Sequence, residues 1–354
     1  MFGAYRTLLA CLVLFFHLVR VPLIGQYAVH AFFVLSGFLM TLVMQQTYGY
    51  NAKGRLAFAL NRALRLYPSY FAVLAIAALA IALLGSATST GFRSVMDLPG
   101  TAAAWAQNMS MVYASQFPDD TRPRLSPATW ALTIELLYYA LICLGISRNR
   151  TITWIWFGLS LAYHAWVQVE GLGNAYAYSH IASGSLPFAV GALLFHYRDR
   201  VPTHALNPHA LAVAGTLAVV ALAAAALIGE WLIGPLVLPM AFYGNIALSA
   251  AFVGILAAAV GGRQHDRHID RRVGDFSYHI YLLHWPVGLV VYTQLFGLAS
   301  PARSITSLAA ALATLAMCMA ISLLLTRLID QPVERWRRAL RPAVGAVPQE
   351  AAMP

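Results

Sequence analysis

Residues 27–46 read YAVHAFFVLSGFLMTLVMQQ, twenty consecutive positions without Asp, Glu, Lys or Arg. A helix of about 20 apolar residues crosses the roughly 30 Å hydrocarbon core of a bilayer. Similar runs recur along the chain, separated by short connections that contain Arg, Pro and Gly. Because only helices and closed barrels satisfy their backbone hydrogen bonds in lipid, this pattern predicts an all-α integral membrane protein.

The composition supports this class and excludes others. The chain is 60% hydrophobic and 10% charged, whereas a soluble domain carries about 25% charged residues. The net charge of +10 is spread over many short loops without a nucleic-acid motif, so no nucleic-acid partner is predicted. The three cysteines, Cys11, Cys143 and Cys318, lie in apolar runs without C-x-x-C spacing, which predicts neither a disulfide framework nor a metal site.

The apolar runs predict a bundle of about ten transmembrane helices. The predicted spans are 4–20, 27–46, 68–86, 129–147, 152–169, 180–197, 210–229, 235–260, 276–297 and 305–328. An even number of spans puts both termini on one side, and that side then holds 18 of the 23 Lys and Arg residues, against 5 on the other. Cytoplasmic loops are enriched in these residues, so both termini are predicted to be cytoplasmic.

The predicted domain organisation is simple. Residues 1–341 form one membrane domain, and residues 342–354 form a short disordered cytoplasmic tail. Residues 87–128 form a long outward segment, which we expect to be partly re-entrant or interfacial and to cover the outer face, because loops of this length in compact domains are functional or disordered.

The first span carries Arg6 near its cytoplasmic end and His17 near its outer end. Eleven residues are three helical turns, so the two side chains share a face about 16 Å apart. An ionisable residue inside a span indicates function by default. A single His in a span is, however, equally often hydrogen-bonded to a neighbouring helix.

The next segments combine small, aromatic and basic residues. Phe32, Phe33 and Ser36 lie in AVHAFFVLSGFLM, a pattern that alone is typical of close helix packing. Arg62 and Arg65 lie one turn apart in NRALRLYP and suit a polyanion such as the phosphates of coenzyme A. Taken alone, this arginine pair equally fits a positive anchor at the cytoplasmic surface.

Two later spans contain further polar groups. TWALTIELLYY places Glu135 five residues after Trp130, and a carboxylate in lipid needs a partner. In FSYHIYLLHWPV, Ser277, Tyr281 and His284 fall within a sector of about 60° on a helix. This polar stripe is a candidate site, and its structural alternative is a hydrogen-bonded packing interface.

Together and in this order, these motifs resemble the membrane acyltransferase-3 family of O-acyltransferases over almost the whole chain. The family's opening pattern, a basic residue, ten residues and then His, matches Arg6 and His17. The family's other motifs, FFxxSG, RxxR, a Trp-to-Glu element and SYxxYLxH, match residues 32–37, 62–65, 130–135 and 277–284. Thr7 departs from the Gly that the family usually has after the basic residue. The chain resembles the branch that has no appended hydrolase-like domain.

The resemblance implies a bundle that transfers an acyl group, by default acetyl, from acyl-CoA to a hydroxyl of a carbohydrate-type acceptor such as a surface polysaccharide or glycolipid. No permanently bound cofactor is expected. His17 is predicted to be the general base, and Glu135 either orients a catalytic group or pairs with a buried Arg. The predicted donor-binding residues are Arg6, Arg62, Arg65, Phe32, Phe33 and Ser36. The candidates for acceptor binding or oxyanion stabilisation are Trp130, Ser277, Tyr281 and His284.

Two further expectations complete this interpretation. Direct transfer is favoured over an acyl-enzyme because no Ser lies in a G-x-S-x-G nucleophile elbow. The resemblance and the Ala- and Arg-rich composition indicate a bacterial inner membrane. The main alternative is a polytopic transporter or flippase for a glycan or lipid, which usually shows repeated halves or paired broken helices that are not evident here.

Overall fold

The computed structural model describes residues 2–200, 215, 228, 237–260 and 267–339. These residues form helices and connecting turns without a strand, which confirms the all-α class for the described chain. The α-helices are α1 (Phe2–Val19), α2 (Ile24–Val43), α3 (Ala52–Leu84), α4 (Ser86–Phe92), α5 (Ala102–Ser110), α6 (Trp130–Leu144), α7 (Arg150–Val169), α8 (Asn174–Tyr178), α9 (Ser185–Tyr197), α10 (Val237–Val260), α11 (Arg267–Val290), α12 (Ile305–Leu325) and α13 (Gln331–Ala339).

Polar caps mark where several helices begin. The side chains of Asn51, Thr101, Asn149 and Ser304 accept hydrogen bonds from the first turns of α3, α5, α7 and α12. Such caps satisfy backbone N–H groups that have no partner within the helix. Short π-helical segments, 44–48, 291–295 and 326–330, follow α2, α11 and α12 and connect them to the next part of the chain.

The predicted number of about ten spans is not confirmed. Five helical segments of the described chain are long and apolar enough to cross a membrane: Phe2–Val19, Ile24–Tyr48, Ala52–Leu84, Pro127–Leu144 and Ile305–Arg337. The predicted spans 152–169, 235–260 and 276–297 correspond to helices that fall outside this set. The predicted span 180–197 contains only the 13 residues of α9 as a regular helix. The predicted span 210–229, apart from two positions, and the predicted tail 342–354 lie outside the described residues.

Helix α3 begins earlier than predicted, and this changes the position of the arginine pair. The predicted span 68–86 is the C-terminal half of α3, which begins at Ala52 and continues through Pro68. Arg62 and Arg65 therefore lie inside this continuous helix, and not in a connection that precedes it. A helix of 33 residues is about 50 Å long, so it can extend beyond one end of the hydrocarbon layer.

The centre of the bundle is formed by α1, α2 and α11. Helix α1 packs against α2, α11 and α12, while α2 packs against α9 and α10. Contact between α2 and α9 is close because Gly37 and Gly191 lie at their crossing, where a Cβ atom would meet the backbone of the other helix. Helix α3 lies against α11 and carries its arginines toward α2.

Residues 85–126 fold onto the end of the bundle that is opposite the beginning of α1. Tyr67 of α3 donates a hydrogen bond to the carbonyl of Ser110 (2.7 Å), and Ser126 donates to the carbonyl of Leu282 (3.0 Å). Inside the segment, the buried Asn108 bonds to the backbone of residues 104, 123 and 125. These bonds attach the segment to α3 and α11.

The outside of the bundle is apolar. Large apolar side chains on the membrane-length helices are exposed, including Leu83 (76%) and Ile305 (87%). Exposed apolar surface of this extent marks contact with lipid or with another protein. Its position on several helices of spanning length fits contact with lipid.

Candidate active site

Two cavities enter the bundle from opposite ends. We call the cavity beside the beginning of α1 the proximal cavity and the cavity beside its end the distal cavity. The proximal cavity has a volume of about 220 Å³, and the distal cavity a volume of about 780 Å³. Val29 and Tyr281 line both of them, so the two cavities meet in the middle of the bundle.

The proximal cavity collects all six predicted donor-binding residues: Arg6, Phe32, Phe33, Ser36, Arg62 and Arg65. Three guanidinium groups from α1 and α3 thus surround one space. Arg65 forms an ion pair with Asp275 of α11 (3.2 Å), while the Arg62 guanidinium lies 3.8 Å from the sulfur of Met40. Such a concentration of arginine suits a polyanionic ligand.

Glu135 lies in the proximal cavity, away from His17. Its carboxylate accepts a hydrogen bond from Ser36 (2.7 Å) and another from Tyr139. Within the described part of the chain, Glu135 forms no ion pair with an arginine. The partners that a carboxylate needs inside lipid are therefore two hydroxyl groups, although Arg6, Arg62 and Arg65 line the same cavity.

His17 lines the distal cavity and is half-buried. Its ring stacks on that of His284, with a centroid distance of 5.3 Å and an interplanar angle of 10°. The Trp285 ring lies 5.0 Å from the His17 ring. These two aromatic neighbours, both from α11, pack against the imidazole, and Trp285 lines the distal cavity together with His17.

The stacked His284 has a defined hydrogen-bond environment. Its Nδ1 lies 3.3 Å from the carbonyl oxygen of Ile280, and its Nε2 has no partner among the described residues. A carbonyl accepts, so this contact favours the neutral tautomer with the proton on Nδ1. Nε2 is then an acceptor, which disfavours the predicted role of His284 as an oxyanion donor.

The other acceptor or oxyanion candidates are divided between the cavities. Trp130 lines the distal cavity, Ser277 lines the proximal cavity and Tyr281 lines both. The Tyr281 hydroxyl donates to the carbonyl of Ala128 (2.8 Å), and its ring lies 6.0 Å from that of Phe32. The Ser277 hydroxyl donates to the carbonyl of Gly274 (2.7 Å) within its own helix.

Several cavity residues were not identified from the sequence. Tyr139 lies one turn after Glu135 in the same apolar run, and that spacing was the signal that could have indicated it. Trp285 directly follows the predicted polar stripe. Arg93 and Asp119 lie in the outward segment, where no local periodicity distinguishes them, and they line the distal cavity.

The described residues offer no site for a metal ion. They contain no group of three or more His, Cys, Asp or Glu side chains that could hold one. The charged groups that line the two cavities are instead mainly guanidinium groups, and one imidazole, that of His17, lines the distal cavity. These groups suit the binding of anions and the transfer of protons.

The helices and paired cavities define a class of protein, a membrane-embedded helical bundle with a polar interior. A family model described as an acyltransferase domain, Acyl_transf_3, matches residues 4–327. The exopolysaccharide production protein ExoZ of Rhizobium meliloti (strain 1021) is 27% identical over 339 residues, covering 91% of this chain and 93% of ExoZ. No solved structure matches the chain. The chain belongs to the acyltransferase-3 family, and it is a membrane acyltransferase.

Proposed function

We propose that this protein transfers an acyl group, by default acetyl, from acyl-CoA in the proximal cavity to a hydroxyl of a polysaccharide or its glycolipid precursor in the distal cavity. The observation that carries the proposal is the pair of cavities that enter from opposite ends and share Val29 and Tyr281. An acceptor of this kind agrees with the name of ExoZ, an exopolysaccharide production protein.

The charge of the proximal cavity supports its proposed role as the site that binds the acyl-CoA donor. The coenzyme A moiety carries several phosphate charges, and Arg6, Arg62 and Arg65 provide matching guanidinium groups at one end of the bundle. In this proposal the phosphates remain near these arginines, and the thioester arm extends past Ser36 and Phe32 toward Tyr281. The predicted orientation, with both termini cytoplasmic, would give the proximal cavity access to cytoplasmic acyl-CoA.

The chemical step needs a base beside the acceptor hydroxyl. His17 would take the hydroxyl proton while the hydroxyl oxygen attacks the thioester carbonyl carbon. The new C–O bond forms, the C–S bond breaks, and His17 returns the proton to the departing thiolate of coenzyme A. His284, whose ring stacks on that of His17, would orient His17 rather than stabilise the oxyanion.

The developing negative charge on the carbonyl oxygen needs a hydrogen-bond donor. The Trp285 indole N–H is buried and has no acceptor among the described residues, and its ring lies 5.0 Å from that of His17. We assign it this role. The Tyr281 hydroxyl is a second donor at the junction of the cavities, provided that it exchanges its bond to Ala128 for one to the substrate.

The test is the transfer of labelled acetyl from acetyl-CoA to envelope polysaccharide in membranes that carry the wild type, His17→Ala or His196→Ala. His196 is a matched control because it is half-buried, bonds to the carbonyl of Ser147 (3.1 Å) and lines neither cavity. We expect transfer with the wild type and the control, and a decrease of at least about 100-fold with His17→Ala. Equal transfer by all three proteins, each present at equal amounts, would remove His17 as the base.

A further inference from the structure

Arginine is concentrated around the distal cavity, at the end of the bundle where basic residues are otherwise few. The predicted topology assigns only five arginines to that end: Arg20, Arg93, Arg122, Arg124 and Arg303. Three of them, Arg20, Arg93 and Arg303, line the cavity. Orientation in the membrane favours basic residues at the opposite end, so it does not explain this concentration.

Arg20 and Arg93 have little negative charge to balance them among the described residues that line the cavity. Asp119 is the one acidic side chain among the described residues that line it. Its carboxylate is already paired with Arg124 (3.0 Å), whose side chain is fully buried outside the lining. Arg20 and Arg93 therefore bring more positive charge to the described lining than Asp119 offsets.

Arg93 is the cavity arginine that lies near the proposed base. Its guanidinium carbon is 5.4 Å from the centre of the Trp285 ring, and that ring is 5.0 Å from the His17 ring. The Nε of Arg93 is buried without a hydrogen-bond partner among the described residues. A buried donor of this kind costs free energy unless a ligand or water fills the site.

The charges around Arg93 also favour the binding of an anion. Burial lowers the pKa of its guanidinium, the Asp119 carboxylate opposes this effect, and the charges of Arg124, Arg122 and Arg20 add to it. Arg93 remains protonated because an arginine does not lose its proton in a protein. Its positive charge therefore has one acidic neighbour, Asp119, and three arginine neighbours, and a bound anion would offset the excess of positive charge.

We propose that the acceptor carries an anionic group, a phosphate or a carboxylate, close to the hydroxyl that is acylated, and that Arg93 binds this group. The inference rests on the proposed function and specifies its acceptor. A guanidinium presents a planar set of donors that matches both kinds of anion. Arg303 donates a hydrogen bond to the backbone carbonyl of Arg20 (2.9 Å), and both residues line the same cavity.

Small charged and neutral sugars can test the proposed anion site, although the natural acceptor is not known. Binding to the purified full-length protein is measured by equilibrium dialysis with labelled glucose 1-phosphate, methyl glucuronide, methyl glucoside and glycerol 3-phosphate. We expect glucose 1-phosphate or methyl glucuronide to bind at least about tenfold more tightly than the neutral methyl glucoside. The preference should weaken as salt is added. A phosphate preference indicates a phosphorylated acceptor, and a carboxylate preference indicates a uronic acid.

Two variants distinguish a direct contact between Arg93 and the anion from the general positive charge at this end of the bundle. Arg93→Gln should abolish the preference, while Arg122→Gln should keep it, because Arg122 carries the same charge at the same end but is exposed and does not line the cavity. Equal binding of the charged and neutral sugars by the wild type overturns the inference, as does the absence of binding by both anionic sugars. Glycerol 3-phosphate binding as tightly as glucose 1-phosphate also overturns it, because the site would then hold a lipid headgroup.

Failure of this inference is distinguishable from failure of the proposed function. If labelled acetyl reaches envelope polysaccharide but the probes show no preference for charge, only the anionic acceptor is wrong. If the probes show the preference but no acetyl is transferred, the anion site stands and the proposed reaction fails.

Discussion

At the scale of single residues, the three arginines of the proximal cavity differ in their partners. Arg65 is held by Asp275 at 3.2 Å. Arg62 has no carboxylate partner within the described chain; its nearest polarisable contact is the Met40 sulfur at 3.8 Å, and the Phe58 ring lies 6.0 Å away. A guanidinium without an acidic partner keeps its donors available for a phosphate, so Arg62 depends more than Arg65 on a ligand for its hydrogen bonds.

We expect Arg62→Gln to raise the KM for acetyl-CoA about tenfold, because the substitution removes a charge-assisted hydrogen bond to the donor. The kcat should change little, since this contact is made equally before and during the reaction. Steady-state kinetics of acetyl transfer in membranes measure both quantities. Arg55→Gln is the control, since Arg55 lies on the same helix but does not line the cavity. An unchanged KM for Arg62→Gln would contradict the assignment.

At the scale of elements, close contact between α2 and α9 depends on two glycines. A Cβ atom at Gly37 would lie 2.2 Å from the carbonyl oxygen of Phe188, and one at Gly191 would lie 2.0 Å from that of Val34. The glycine of the FFxxSG motif is thus explained by packing, whereas Ser36, one residue earlier, bonds to Glu135 in the proximal cavity. The same motif therefore serves both the helix interface and the candidate site.

Gly37→Ala should lower the stability of the bundle by about 1–3 kcal/mol, because an added methyl group forces the two helices apart. Thermal unfolding in detergent would show this as a lower melting temperature. Gly158→Ala on α7 is a matched control, since no atom lies within 4 Å of its added Cβ. It should be neutral or slightly stabilising through its higher helix propensity. If both variants melt alike, the contact at Gly37 does not limit the packing.

At the scale of the whole molecule, the bundle separates its polar groups into two ends. Arg6 and His17 lie on the same helix but face different cavities. The segment 85–126 helps to shape the distal cavity, with Arg93 and Asp119 in its wall and Arg124 buried behind them. In the proposed reaction, this arrangement would keep the charged donor and the hydrophilic acceptor at opposite ends. Their reacting groups would meet where Val29 and Tyr281 line both cavities.

The orientation predicted from charge is testable by cysteine labelling in intact bacterial cells. A membrane-impermeant maleimide should react with Ser94→Cys, at the distal cavity, and should react with Lys53→Cys only after the cells are opened. Both positions are exposed. The unsubstituted protein is the background control, since it contains Cys11, Cys143 and Cys318 as free thiols. Labelling of Lys53→Cys in intact cells, without labelling of Ser94→Cys, would reverse the predicted orientation.

The sequence by itself determined the all-α class, the resemblance to the acyltransferase-3 family and eleven of the residues that line the two cavities. Hydropathy and helical spacing are each contained within one segment, and motif order follows directly from the order of residues along the chain. Only the tertiary structure decided which residues meet. Arg65 and Asp275 are 210 positions apart, and Ser36 and Glu135 are 99 apart, so no periodicity predicts either contact. Packing of α2, α3, α6 and α11 brings them together, and the fold of residues 85–126 places Arg93 close to His17 through Trp285.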